Sequence, residues 1–124
     1  MRQREKRRRA ERRGRWAETI ALWWLRLRGY RILARDFRTH LGEIDILARR
    51  GRTLVAIEVK ARPDLVTASD ALLPRQRRRI ERALGHFLAH RPEFSQLALR
   101  FDVMLVMPRR LPRHIADAWR PERD

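Results

Sequence analysis

Two apolar runs, Leu41–Ala48 and Thr53–Ala61, flank a short segment that carries Gly51-Arg52. That spacing predicts an antiparallel hairpin closed by a two-residue type II′ turn, which takes glycine first. Arg50 then faces Thr53, and counting outward sets Asp45 opposite Glu58 and Glu43 opposite Lys60. Period-two alternation puts Glu43 and Asp45 on one face, with Ile44 and Ile46 on the other. It likewise puts Glu58 and Lys60 together, opposite Ile57 and Val59. Four ionisable groups thus gather on one face of the most core-like part of the chain, where burial is costly unless they are paired.

Directly opposed side chains have Cβ atoms about 4.5–5.5 Å apart. Two carboxylates at that separation repel unless one is protonated or a cation sits between them. Mg²⁺ takes oxygen ligands, often one or two carboxylates completed by water and phosphate. Asp45 and Glu58 therefore suit a metal site with Lys60 beside it. The competing reading is a solvated sheet face on which Glu43 and Lys60 form a cross-strand ion pair.

The rest of the chain supplies the frame. Trp16 to Arg28 is helical and almost wholly apolar, and Gly29 suits its C-terminal cap. Trp16, Trp23 and Trp24 read as core. Glu18 lies on an apolar face with Ala21, Leu22 and Leu25; first-turn dipole stabilisation would equally account for an acid there. Tyr30–Phe37 reads as a strand. Pro74 opens a helix whose stripe is Ile80, Ala83, Leu84, Phe87 and Leu88, and Pro92 ends it. Leu97–Met107 is a strand with Leu99, Phe101, Val103 and Leu105 on one face and Arg100 and Asp102 on the other. Leu111–Trp119 suggests a short final element, and Asp64–Leu73 reads as a mobile loop. The order α-β-β-β-α-β implies an α/β fold, a mixed sheet flanked by helices. The expected organisation is a basic, disordered or fraying helical arm over 1–15, one domain over 16–120, and a polar tail over 121–124.

The 124 residues carry a formal charge of +16, with nine basic and two acidic residues in the first 15. The remainder is also basic, so the field favours a polyanion, nucleic acid before an anionic membrane. Of 31 basic residues only Lys6 and Lys60 are lysine, and lysine is the compact point charge where arginine is the phosphate fork. Absence of cysteine excludes disulfides and thiolate metal sites. His86 and His90 have helical metal-ligand spacing, a pattern that arises easily by chance. No run is long and apolar enough to span a bilayer, and the reading is a cytoplasmic protein.

The pattern of Asp45, Glu58 and Lys60 resembles the PD-(D/E)XK nuclease superfamily. Gly42-Glu43-Ile44-Asp45, then Glu58-Val59-Lys60-Ala61-Arg62, then Arg100-Phe101-Asp102-Val103 are similar to the YraN family of small bacterial proteins. The likeness covers about residues 14–119. It implies a restriction-endonuclease-like sheet, of the kind found in Holliday-junction resolvases, and a Mg²⁺-dependent nuclease in which Mn²⁺ can substitute. In such folds a glutamate from the first helix joins the metal, and Glu18 fits that place. The implied ligands are Glu18, Asp45 and Glu58, with Lys60 completing the catalytic set. Arg75 stands where the family usually has a lysine.

On this reading Glu43 supports Lys60, and Gln76 sits at a helix N-terminus suited to phosphate. Arg62, Arg75, Arg77 and Arg78 are candidate nucleic-acid contacts, although each taken singly also fits a solvated face. The expected partner is DNA, with branched, Holliday-junction-like forms among the candidate substrates, and a homodimer is admissible because resolvase-like relatives cut two strands. Two other classes remain open: a non-catalytic nucleic-acid-binding protein that keeps the nuclease fold, and an interaction protein whose charge serves solubility. Asp102 has no implied role beyond an ion pair.

Overall fold

Glycine at the hairpin tip behaves as its position requires. Gly51 takes φ 59° while Arg52 keeps an ordinary negative φ, the combination of a type II′ turn. The predicted register follows, from Arg50–Thr53 through Ile46–Ile57. The computed structural model describes residues 2–63 and 72–122, so most of the loop expected over 64–73 lies outside the described residues. Its elements are α1 (Arg2–Leu27), β1 (Arg31–Arg38), β2 (Glu43–Arg50), β3 (Thr53–Ala61), α2 (Pro74–His90), β4 (Ala98–Val106) and β5 (Arg113–Trp119).

The five strands form one sheet in chain order. Neighbours pair antiparallel except β3 and β4, which run parallel along their whole length from Thr53–Ala98 to Ala61–Val106. A parallel pair needs a crossover, and α2 lies in that connection. This is the α/β, mixed-sheet order of the restriction-endonuclease-like class, with β5 added at the edge. The final segment from Leu111 therefore contains a full strand.

Each helix covers one face. Ala17, Ala21, Leu22 and Leu25 of α1 pack with Ile46, Ala48, Val55, Ile57 and Met104. Ile80, Ala83, Leu84 and Phe87 of α2 pack with Leu47, Leu54, Ala56 and Phe101 on the other side. Burying each large aliphatic side chain contributes about 1.5–3 kcal/mol, and that drives the layering.

α1 ends in a Schellman arrangement. Gly29 at φ 87° lets its own amide donate to the Arg26 carbonyl and the Tyr30 amide to the Leu25 carbonyl, satisfying two orphan groups. At the other end α1 begins at Arg2. The basic segment is thus the first half of the same helix, which starts well before Trp16.

Two expectations need correction. Trp16 and Trp23 are not core: they are 56% and 57% exposed, and only Trp24 packs against the α1 cluster. An almost wholly apolar helix does not reveal which stripe faces the sheet. The strict alternation of β2 also fails at Asp45. Ile46 packs under α1, whereas Ile44 packs with the α2 cluster. Across in β1, Asp36 has φ 54° and a register shift lies between Ile32 and Ala34, so both strands change faces here.

Candidate functional site

The break at Asp45 builds the site. Pairing between β2 and β3 ends at Ile46–Ile57, which would leave the next β3 amide unpaired. Asp45 supplies the missing acceptor: its Oδ2 takes a hydrogen bond from the Val59 amide at 2.8 Å. The carboxylate therefore sits in the gap between the diverging strands, next to Glu58. Gly42 permits that path, because a Cβ on it would run into the backbone of Arg79 in α2.

Glu58 and Lys60 stand at the carboxyl end of β3, both largely buried, with Lys60 Nζ 3.9 Å from Glu58 Oε1. Burial pushes the Glu58 carboxyl up, and a hydrogen bond to Asp45 together with its charge pushes further, to about 9 against the opposing pull of Lys60. Glu58 thus carries a proton at neutral pH when no cation is present. One proton held between two carboxylates is the alternative to a bound cation anticipated from the register.

Glu18 approaches from α1. Burial raises its carboxyl first, then the charges of Asp45 and Asp36, against a lowering by Arg35. Arg35 Nε lies 3.6 Å from Glu18 Oε1, and the same guanidinium donates to the Arg15 carbonyl at 2.9 Å and to Thr19 Oγ1 at 2.8 Å. Nothing in the sequence singles out Arg35 among 29 arginines; its role comes from its position after the β1 bulge.

The donor set fits a hard divalent cation in one respect: Asp45 and Glu58 offer close, partly desolvated carboxylate oxygens that need a positive charge or a proton. Among the described residues no three Asp, Glu or His side chains form a ready metal cage. The fit is to a two-carboxylate site completed by water and phosphate, with Glu18 near enough to feel the Asp45 charge. His86 and His90 have rings 4.4 Å apart, and they belong to no such cage either.

Other expected residues are dispersed. Glu43 is exposed, pairs in register with Arg38, and makes no ion pair with Lys60 among the described residues, so the cross-strand Glu43–Lys60 pair is not formed. Gln76 Oε1 accepts the Leu73 amide at 3.2 Å, closing the first turn of α2. Arg75 and Arg78 are exposed. Arg77 lies over the Trp119 ring at 5.9 Å, with its Nε buried and without a hydrogen-bond partner among the described residues. The Arg62 guanidinium donates to the Ala61 carbonyl at 2.8 Å, just past Lys60.

Asp102 is fully buried in a separate network. Arg100 grips it with two hydrogen bonds, at 2.9 and 2.7 Å. His114 Nε2 lies 2.6 Å from Oδ2, and the Asp117 amide donates to Oδ1 at 2.9 Å. Arg100 also donates to the Tyr30 hydroxyl at 2.6 Å. The expected ion pair is present, and it ties β4, β5 and the end of α1 together. Tyr30 and His114 carry no local signal that would have placed them there.

An open mixed sheet between two helices, with acids and a lysine at the carboxyl end of its parallel pair, defines a small α/β protein of the restriction-endonuclease-like class. The chain belongs to the uncharacterised protein family UPF0102, whose model matches residues 17–106, and this is the YraN family its motifs resemble. It is 59% identical over 105 residues to a UPF0102 protein of Parvibaculum lavamentivorans, covering 85% of this chain and 79% of that one. One from Paramagnetospirillum magneticum is 52% identical over 115 residues, covering 90% and 89%. One from Caulobacter vibrioides is 49% identical over 106, covering 86% and 85%. Among the described residues no helix is long and apolar enough to cross a membrane.

Proposed function

We propose that this protein is a Mg²⁺-dependent endonuclease acting on DNA, with branched DNA as the favoured substrate class. The observation that carries the reading is the placement of the Asp45 carboxylate, held by the Val59 amide, next to Glu58 and Lys60 at the carboxyl end of a parallel strand pair. Open α/β sheets bind ligands in the crevice outside those strand ends.

Asp45 and Glu58 would hold the cation, with Glu18 in support. When bound, the ion supplies Lewis acidity and an acidified water. Asp45 is fixed for this by the Val59 amide, and Arg35 holds Glu18 in place. Lys60 Nζ has no hydrogen-bond partner within 3.5 Å among the described residues. Its donors remain available to orient the attacking water or to stabilise negative charge developing on the phosphate. Arg62, Arg75 and Arg78 offer guanidinium forks for the backbone, contacts that position a nucleic acid without reading its sequence.

Among the described residues no third ligand converges on the pair, which favours one other reading, a nucleic-acid-binding protein that keeps the fold without turnover. Purified protein incubated with labelled four-way junctions, flaps, duplex and single strands in Mg²⁺, Mn²⁺ or EDTA separates the two. Metal-dependent cleavage abolished by Asp45→Asn and by Lys60→Ala is the expected result. Salt-sensitive binding with no cleavage under either metal would overturn the catalytic reading.

A further inference from the structure

A cleft of about 510 Å³ opens beside Lys60. Its walls include Gly14 and Trp16 of α1, Lys60 and Arg62 at the end of β3, Val106 closing β4 and Pro108 beyond it. The volume lies within the range typical of small-molecule sites. The lining combines apolar residues, the cationic Lys60 and Arg62, and an indole that is 56% exposed. Buried indoles drive packing, so an exposed one lining a cleft offers a flat surface for another flat group. The combination of a flat apolar partner and adjacent positive charge fits a nucleotide, whose base and phosphate carry those two properties.

We propose that this cleft seats one unpaired nucleobase of the substrate against the Trp16 indole, while Lys60 and Arg62 hold the adjoining phosphate. The proposal rests on the nucleic-acid reading above and deepens it. Lys60 borders both the cleft and the carboxylate pair, so the seated nucleotide adjoins the phosphodiester at that pair. A base stacked inside a duplex cannot reach the indole without being turned out. The preferred substrate therefore has an unpaired nucleotide at the cut, as flaps, bubbles and opened junctions do.

The test measures binding in EDTA, independent of cleavage. Fluorescein-labelled oligothymidylate and a blunt duplex are titrated by anisotropy into wild type, Trp16→Ala, Trp16→Phe and Trp23→Ala. Loss of one base–aromatic stack weakens binding about tenfold. Trp16→Ala is expected to lose about that factor for the single strand and nothing for the duplex, with Trp16→Phe retaining most of the affinity. Trp23→Ala removes an equally exposed indole outside the cleft and is expected to match wild type. Thermal melts check that each variant is folded. Unchanged single-strand affinity in Trp16→Ala, or equal losses for both probes, would overturn the cleft assignment alone. Failure of wild type to bind either probe would overturn the nucleic-acid reading and the cleft with it.

Discussion

The Asp45 carboxylate and the Val59 amide are 2.8 Å apart, and this one hydrogen bond replaces a rung of backbone ladder. Asp45 therefore has a structural task that can be separated from any chemistry. Asp45→Asn keeps a carbonyl acceptor for Val59, whereas Asp45→Ala leaves that amide unsatisfied at a cost of about 1–3 kcal/mol. Urea unfolding is expected to find Asp45→Asn near wild type and Asp45→Ala lower by that amount. Cleavage is expected to vanish in both.

Glu58 sets a pH dependence of opposite sign to that of most acids. Between 4.5 and about 9 the folded carboxyl keeps a proton that the unfolded chain has released, so stability falls as pH rises across that window. The slope for one such group is at most about 1.4 kcal/mol per pH unit. Glu58→Gln removes the titration. Unfolding in EDTA across this range is expected to show a shallower decline in the variant than in wild type, and parallel curves would contradict the assignment.

Mg²⁺ is expected to relieve the same tension. A ligand that binds only the folded state at a hundredfold excess over its dissociation constant stabilises it by about 2.7 kcal/mol. At neutral pH, Mg²⁺ is expected to raise the melting temperature of wild type by several degrees and to leave Asp45→Asn unmoved. Equal shifts in the two proteins would place the ion elsewhere.

Gly42→Ala tests how tightly β2 is seated under α2. The added methyl meets backbone at Arg79, which cannot rotate away as a side chain can, so overpacking costs about 1–3 kcal/mol. Urea unfolding measures this directly, and a neutral result would mean that the strand is free to shift.

Asp102 gives the familiar acid signature. Burial raises its carboxyl, but hydrogen bonds from His114, Arg100 and the Asp117 amide outweigh this and hold it below the ordinary 3.8. Its contribution is present above that value and lost as pH falls through the lower folded one. Asp102→Ala leaves Arg100 without its partner, and breaking a buried pair costs about 3–5 kcal/mol. Asp102→Asn is expected to lose less and to show a flatter stability curve under acid.

Much of this architecture was legible because local rules agree with the fold. Gly51 fixed the turn, the turn fixed the register, and the bounds of β3 match those read from its apolar run. The stripe of α2 was likewise plain, since its polar and apolar positions separate cleanly. What escaped depended on long-range packing. α1 is apolar nearly all round between Trp16 and Leu27, so no periodic signal distinguished Leu25, which is buried, from Trp23, which is not. The face change at Asp45 arises where β2 leaves β3, a tertiary event that period-two counting cannot detect. The Arg100–Tyr30 hydrogen bond joins residues 70 apart, and the two segments give no sign of each other.

The parting of β2 from β3 also leaves a sheet edge in the middle of the molecule. Among the described residues, β3 pairs only with β4 from Glu58 to Ala61, and an open strand edge is a template onto which another chain can add. Asp45 blocks the first rung, and the Lys60 ammonium puts charge beside the rest. The residues proposed for chemistry would thus also guard against self-association, and a variant stripped of all three is expected to aggregate through this notch in light-scattering measurements.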